Sequence, residues 1–189
     1  FRLSVPGVHN VSNALAAIAI GLELEIPVDL IRKGLAAFMG VERRFHLRGE
    51  ASGIMVVDDY GHHPTEVKAT LAAAKQSWDR RLVVLFQPHR YSRTRDCIGE
   101  FAHAFDHADV LFTTEIYPAG ESPIAGVSGA YLAETIKSAG HPSVTFIERK
   151  ETLPDLVLPH LRPGDLVLTL GAGDIWKAGT GILARLESA

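Results

Sequence analysis

The stretch Ile54-Met55-Val56-Val57-Asp58-Asp59-Tyr60-Gly61-His62-His63-Pro64 joins an unbroken apolar run to ionisable side chains and then to a proline. A short β-branched run without polar alternation marks a strand whose sheet is covered on both faces. Pro64 then opens a helix, because the N–H it lacks has no partner in a first helical turn. The same succession recurs downstream. Comparable apolar runs occupy residues 82–86, 110–113, 144–147 and 166–170. Counted from Ile54, their starts lie 28, 28, 34 and 22 residues apart, the spacing of strand-plus-helix units rather than of hairpins. Helices are predicted between them at 64–75, 94–105, 128–139, 153–161 and 175–186. Phe45-His46-Leu47-Arg48 alternates, and Ser52-Gly53 turns it into the first long strand as an antiparallel edge. The fold predicted is α/β: a Rossmann-like, doubly wound, mostly parallel six-stranded sheet with one antiparallel edge strand, preceded by two helices.

Those two helices occupy a section of different texture, residues 1–42. Asn10, Ser12 or Asn13 is the expected cap of an Ala-rich run from Ala14 to Leu22. Pro27 starts a second helix, with Leu30, Ile31, Gly34, Leu35 and Phe38 at helical spacing and Gly40 as its expected end. Both helices carry apolar surface with no sheet of their own. They are read as the tail of a preceding domain, with a second domain at 43–189. The chain begins at Phe1 in mid-pattern and is expected to be a piece of a longer protein.

Composition narrows the function classes. The 189 residues are 47% hydrophobic and 22% charged, with a net charge of -3, which suits a folded domain and gives no reason to expect nucleic acid or an anionic membrane as partner. No apolar run approaches the roughly 18–20 residues that span a bilayer. Cys97 is the sole cysteine, so a reducing cytoplasmic setting is expected. Its arginine neighbours could lower its pKa, but no Cys/His/Asn arrangement accompanies it, and a structural role is expected.

In an open parallel sheet, ligands bind beyond the carboxyl ends of the strands. The first two strands lead into Asp58-Asp59-Tyr60-Gly61-His62-His63 and Gln87-Pro88-His89-Arg90-Tyr91-Ser92-Arg93, and the last into Gly171-Ala172-Gly173-Asp174. His89, Arg90, Arg93 and Arg95 place four potential cations within seven residues of an acidic chain, in what reads as a helix N-terminal region, where they oppose the helix dipole. Arginine forks grip carboxylates and phosphates, so an anionic ligand is expected there. Asp58 and Asp59 invite a metal, but neighbours on a strand point to opposite faces and no second ligand motif is present, so no metal site is assigned. Asp59 is better suited to accept hydrogen bonds from ribose hydroxyls. His62 and His63 are either a polar turn before Pro64 or direct participants. Gly171-Ala172-Gly173 can cradle an anion or simply make a tight turn. No Gly-x-x-x-x-Gly-Lys-Ser/Thr loop, Gly-x-Ser-x-Gly elbow or dinucleotide fingerprint occurs.

Five ordered motifs carry a resemblance that covers the whole chain: Val8-His9-Asn10-Val11-Ser12-Asn13, Arg43-Arg44-Phe45, Asp58 to Glu66, Phe86 to Thr94 and Leu170 to Ile175. Together they resemble the Mur ligases, the ATP-dependent amide-forming enzymes of peptidoglycan assembly. The likeness is strongest to the branch that joins L-alanine to UDP-N-acetylmuramate, with the murein-peptide-recycling branch as the nearest competitor. The resemblance implies ATP and Mg²⁺ as cofactors, with the phosphate loop and the Mg²⁺ ligands on preceding domains outside this chain. It implies that His9, Asn10 and Asn13 approach adenine, that Arg44 reaches phosphate or ribose, and that Asp59 holds the ribose. It also implies that Tyr60, His89, Arg90 and Arg93 face the incoming amino acid and the reacting carboxyl, with His63, Gly171 and Gly173 beside the substrate. The fragment alone is expected to be inactive. A free-standing, non-catalytic nucleotide- or anion-binding module is the alternative from another class.

Overall fold

The computed structural model describes residues 1–188. Its sheet has six strands: β1 (His46–Ala51), β2 (Ile54–Asp59), β3 (Arg81–Phe86), β4 (Val110–Thr114), β5 (Val144–Ile147) and β6 (Asp165–Leu170). Their spatial order is β1-β2-β6-β3-β4-β5. β1 runs antiparallel to β2, and every other pairing is parallel. The fold is therefore the doubly wound α/β arrangement with one antiparallel edge. The registers Asp59↔Leu170, Phe86↔Leu170 and Phe86↔Thr113 bring the carboxyl ends of the central strands level with one another.

Alternation along each strand sends side chains into two separate cores. Val57, Val84 and Leu168 pack on one face with Val67 and Leu71 of α3 (Pro64–Ser77) and with Phe86, Phe101 and Phe105. Val56, Val83 and Val167 pack on the other with Ile175, Ala178 and Ile182 beneath α8 (Trp176–Glu187). Burial on both faces is why β2 and β6 lack polar alternation; each is buried at every position. A fully buried Val, Leu or Phe side chain contributes about 1.5–3 kcal/mol.

The helices depart from the sequence reading in instructive ways. α1 (Val8–Glu23) begins earlier than its expected cap. Gly7, at φ 98°, takes the cap position, and its carbonyl accepts the N–H groups of Asn10 and Val11. Only glycine enters that conformation without a Cβ penalty. Asn10, Ser12 and Asn13 consequently lie inside the helix, with the Asn10 amide donating back to the Pro6 carbonyl at 2.6 Å. α2 (Val28–Ala37) ends before Gly40, because Phe38 is already extended. The helix expected at 94–105 is two short ones, α4 (Tyr91–Asp96) and α5 (Ile98–Phe101), separated by Cys97 at φ −106°, ψ 14°. That break redirects the chain so that Phe101 and Phe105 meet Phe86, with ring centroids 5.6 and 5.0 Å away. It also corrects the dipole argument. Arg93 and Arg95 stand in the last turn of α4, where cations are favourable. α6 (Gly129–Ser138) is capped by the Ser128 hydroxyl, and α7 (Leu153–Val157) continues as a single 3₁₀ turn.

α1 buries only Ala14 and Gly21, leaving Val8, Leu15, Ile20 and Leu22 more than half exposed. Among the described residues no helix is long and apolar enough to cross a membrane.

Candidate functional site

A cleft of about 820 Å³ separates α1 and α2 from the sheet domain. His9, Asn10, Asn13, Arg44 and Asp59 all line it, among apolar residues that include Leu3, Val5, Ala17, Leu35 and Phe38. Polar groups converging on an apolar wall are what a nucleoside requires, so the residues present fit one.

Asp59 organises the floor of that cleft. Its Oδ1 accepts the Gly61 N–H at 2.7 Å and the Thr70 hydroxyl at 3.4 Å, while Oδ2 accepts the Phe45 N–H at 2.7 Å. Burial pushes its carboxyl above the usual range, against the pull of those backbone N–H donors and of Arg44. Glu66, also at the cleft, receives the N–H groups of His62 and His63 at 3.0 and 3.1 Å. Burial raises its pKa, but these donors outweigh it and hold the carboxyl below its ordinary value. The linker between α2 and β1 is fixed as firmly. Arg43 donates to the Gly171 carbonyl at 2.7 Å and to Asp58 at 3.3 Å, and its guanidinium sits 4.9 Å from the Tyr60 ring centre. The Arg43 carbonyl in turn accepts the Tyr60 N–H at 2.7 Å. Arg43 and Phe45 adopt φ of 60° and 46°, a left-handed conformation that persists only where surroundings impose it.

Beyond Asp59, a row of rings follows the carboxyl edge of the sheet. Tyr60 meets His62 edge-on at 5.4 Å, His62 meets His89 at 5.3 Å, and His89 stacks on Tyr117 at 5.6 Å and 9°. Arg93 Nη1 lies 3.1 Å from His89 Nδ1 and donates to the His89 carbonyl at 3.2 Å. Burial, reinforced by His62, Arg93 and Arg90, lowers the His89 pKa to about 4. A neutral imidazole therefore accepts from the arginine at neutral pH. Arg90 is exposed, at φ 73°, with its N–H held by the Tyr117 carbonyl at 2.9 Å. Such strain costs on the order of 1–3 kcal/mol and concentrates at functional sites.

The last loop closes on the same edge. The Gly171 N–H donates to the Asp59 carbonyl at 3.2 Å, and the Asp174 N–H donates to Gln87 Oε1 at 3.1 Å. A Cβ on Gly173 would crowd Gln87 Oε1 and the Tyr117 ring, so any larger residue has to displace those side chains. Asp59, at the end of β2, and the loops that carry Arg90 and Gly173 thus share one rim.

Other predicted residues are placed differently. His63 caps α3, its Nδ1 accepting the Thr65 N–H at 3.3 Å, and its Nε2 lies 3.8 Å from Cys97 Sγ. It is His62 that joins the ring row. Tyr117 also joins it, although nothing in the Thr114-Glu115-Ile116-Tyr117 stretch announces an aromatic wall. Burial pushes the Cys97 thiol pKa up. Asp58 turns away from Asp59, to the Thr169 hydroxyl at 2.7 Å. Among the described residues no three His, Cys, Asp or Glu side chains are grouped to hold a metal ion.

The chain as a whole is similar to known proteins. UDP-N-acetylmuramate–L-alanine ligase of Geobacter sulfurreducens is 57% identical over 98% of this chain, and that of Myxococcus xanthus is 55% identical over all of it. The chain spans about 40% of the length of each. The crystal structure of UDP-N-acetylmuramate-alanine ligase from Thermotoga maritima superposes with a TM-score of 0.84 at 33% identity, over 98% of this chain and 39% of that one. A murein peptide ligase from Psychrobacter arcticus superposes with a TM-score of 0.71 at 27% identity, over 100% of this chain and 39% of that one. The family model described as "Mur ligase, glutamate ligase domain" matches residues 43–173, and the chain belongs to the Mur ligase family.

Proposed function

We propose that the chain is the amino-acid-receiving part of an ATP-dependent ligase that joins L-alanine to UDP-N-acetylmuramate. Residues 1–42 are the end of its ATPase domain, and 43–189 are its C-terminal domain. The observation that carries this reading is the adjacency of two polar surfaces. His9, Asn10, Asn13, Arg44 and Asp59 share one cleft, and the Tyr60-to-Tyr117 row begins at the next residue. Identity above half to relatives named for this reaction supports it.

Mg²⁺-ATP, when bound, supplies the phosphoryl group that activates the substrate carboxylate. The chain's own residues do the remainder. His9, Asn10 and Asn13 contact the base, Asp59 receives ribose hydroxyls at the edge of its hydrogen-bond cage, and Arg44 faces phosphate. Arg90 and Arg93 neutralise the carboxylate of the incoming amino acid and charge that develops during attack. A positioned charged donor of this kind contributes about 2–4 kcal/mol in the transition state. Tyr60 and neutral His89 fix the amine's approach, with Gly171 and Gly173 beside it and His63 holding the loop through the α3 cap. The apolar walls of the cleft limit water around the activated carboxylate, an acyl phosphate that hydrolyses readily. ATP and a nucleotide-sugar as substrates place the reaction in the cytoplasm.

The test is L-alanine-dependent phosphate release by the full-length protein with ATP and UDP-N-acetylmuramate. Stoichiometric formation of the alanyl product is expected. A protein that ignores L-alanine but joins a preformed peptide would instead be a recycling ligase, and one that binds ATP without turnover would be a binding module.

A further inference from the structure

We propose that Glu121 is a positioning residue for the Arg90–Arg93 segment, acting through Ser92; its catalytic relevance rests on the amino-acid-receiving reading above. Glu121 lies in the loop that joins β4 to α6, far in sequence from the segment it holds. Its Oε1 accepts the Ser92 hydroxyl at 2.5 Å and its Oε2 accepts the Ser92 N–H at 3.0 Å. That N–H belongs to the first turn of α4, which has no side-chain cap of its own. An orphan donor there needs an outside acceptor, and a carboxylate suits the positive end of a helix.

The loop is built to deliver this carboxylate. Glu115 Oε1 accepts the N–H groups of both Ile116 and Gly129 at 2.8 Å, which ties the loop's two ends together. A tight turn then aims Glu121 back. The Glu121 N–H donates to the Pro118 carbonyl at 3.0 Å, with Ala119 and Gly120 at φ 50° and 86°. Ala119 is strained there, so the aim is held against a local preference. The same loop meets the segment a second time, through the Arg90 N–H on the Tyr117 carbonyl and the Tyr117 N–H on the Pro88 carbonyl, at 2.9 and 2.8 Å. Arg90 therefore stands between two anchors on one brace. Its positive-φ backbone, at φ 73° and ψ 136°, is flanked by both, where an isolated arginine would relax out of it. Hydrogen bonds from Ser92, with Arg90 nearby, hold the Glu121 carboxyl below its usual range, so the brace is charged at neutral pH.

The test uses the full-length ligase with Glu121→Ala and Glu121→Gln, read by steady-state kinetics and by amide exchange at Ser92. Glutamine can keep both bonds, with the serine hydroxyl turned to accept from the side-chain amide. Glu121→Ala is expected to lower kcat/KM for L-alanine on the order of 10- to 100-fold, as small misplacements of a reacting site do. The KM for ATP stays unchanged, and the Ser92 amide exchanges about fivefold faster or more. Glu121→Gln is expected to stay within about fivefold of the unsubstituted enzyme. Unchanged L-alanine kinetics in Glu121→Ala overturn the proposal. So does an equal loss in both variants, or a loss shared with ATP that follows general unfolding. If Arg90→Ala spares L-alanine use while Glu121→Ala still frees the Ser92 amide, the amino-acid reading falls and the brace stands.

Discussion

Arg43 and Gly171 lie 128 residues apart, yet the Arg43 guanidinium donates to the Gly171 carbonyl at 2.7 Å. The same side chain meets Asp58, which is 1% exposed, at 3.3 Å. One arginine thus sews the linker to the last loop of the sheet, where the cleft and the ring row come together.

Arg43→Ala removes both bonds and leaves Asp58 with Thr169 as its remaining side-chain partner. The expected loss is about 1–3 kcal/mol in unfolding free energy, the range for a hydrogen bond to a charged or buried group. Urea denaturation of the chain measures it. A change within about 0.5 kcal/mol, typical of an indifferent surface site, contradicts the pinning described here.

Gly129→Ala tests the brace at its base. A Cβ there would meet the Thr114 carbonyl oxygen at 2.2 Å, and backbone cannot step aside as a flexible side chain can. Overpacking of this kind costs about 1–3 kcal/mol. For a chain of this size each kcal/mol lowers Tm by about 2–4 °C. An unchanged Tm would show that the junction of β4 and α6 is looser than its geometry implies.

Much of this architecture was legible in the residues. The runs at Ile54, Leu82, Val110, Val144 and Leu166 read as covered strands because burial on both sheet faces removes polar alternation. The insertion of β6 between β2 and β3 was not legible, since spacing along a chain does not state which strands become neighbours. Local signals misled where tertiary contacts decided. Asn10 looks like a helix cap, but Gly7 takes that place through its backbone. A helix through Cys97 satisfies propensity, whereas the packing of Phe101 and Phe105 on Phe86 accompanies a break. Glu121 was invisible because its partner is 29 residues away, and no motif spans the two.

Titration of His89 gives a pH test. Its pKa is lowered to about 4 from the ordinary 6.5, first by burial and then by His62 and the neighbouring arginines. Above about pH 6.5 the ring is neutral in both folded and unfolded chains and contributes no pH dependence. Between about 6.5 and 4 the unfolded chain takes up the proton first, so stability falls as pH falls. NMR of the His89 ring should show a midpoint near 4. The His89→Asn variant should lose that part of the pH dependence of Tm. A midpoint near the ordinary histidine value would contradict the burial and cationic surroundings described for this ring.

The two surfaces should separate under mutation. Arg44 lines the cleft and lies 5.8 Å from the Tyr60 ring, whereas Arg90 stands at the far side of the ring row. Arg44→Ala in the full-length ligase is expected to raise the KM for ATP about tenfold or more, as loss of a charged contact worth about 1.5–3 kcal/mol does. The KM for L-alanine should move little. A rise confined to L-alanine would reverse the assignment of cleft and rim.

The most direct measurement is the L-alanine dependence of product formation by the full-length ligase carrying Arg90→Ala. The account predicts that kcat/KM for L-alanine falls by about 100-fold, the loss of one charged donor at a reacting centre, while the KM for ATP holds. Normal kcat with normal L-alanine KM would contradict it, because the exposed, strained arginine would then have no amino acid to meet.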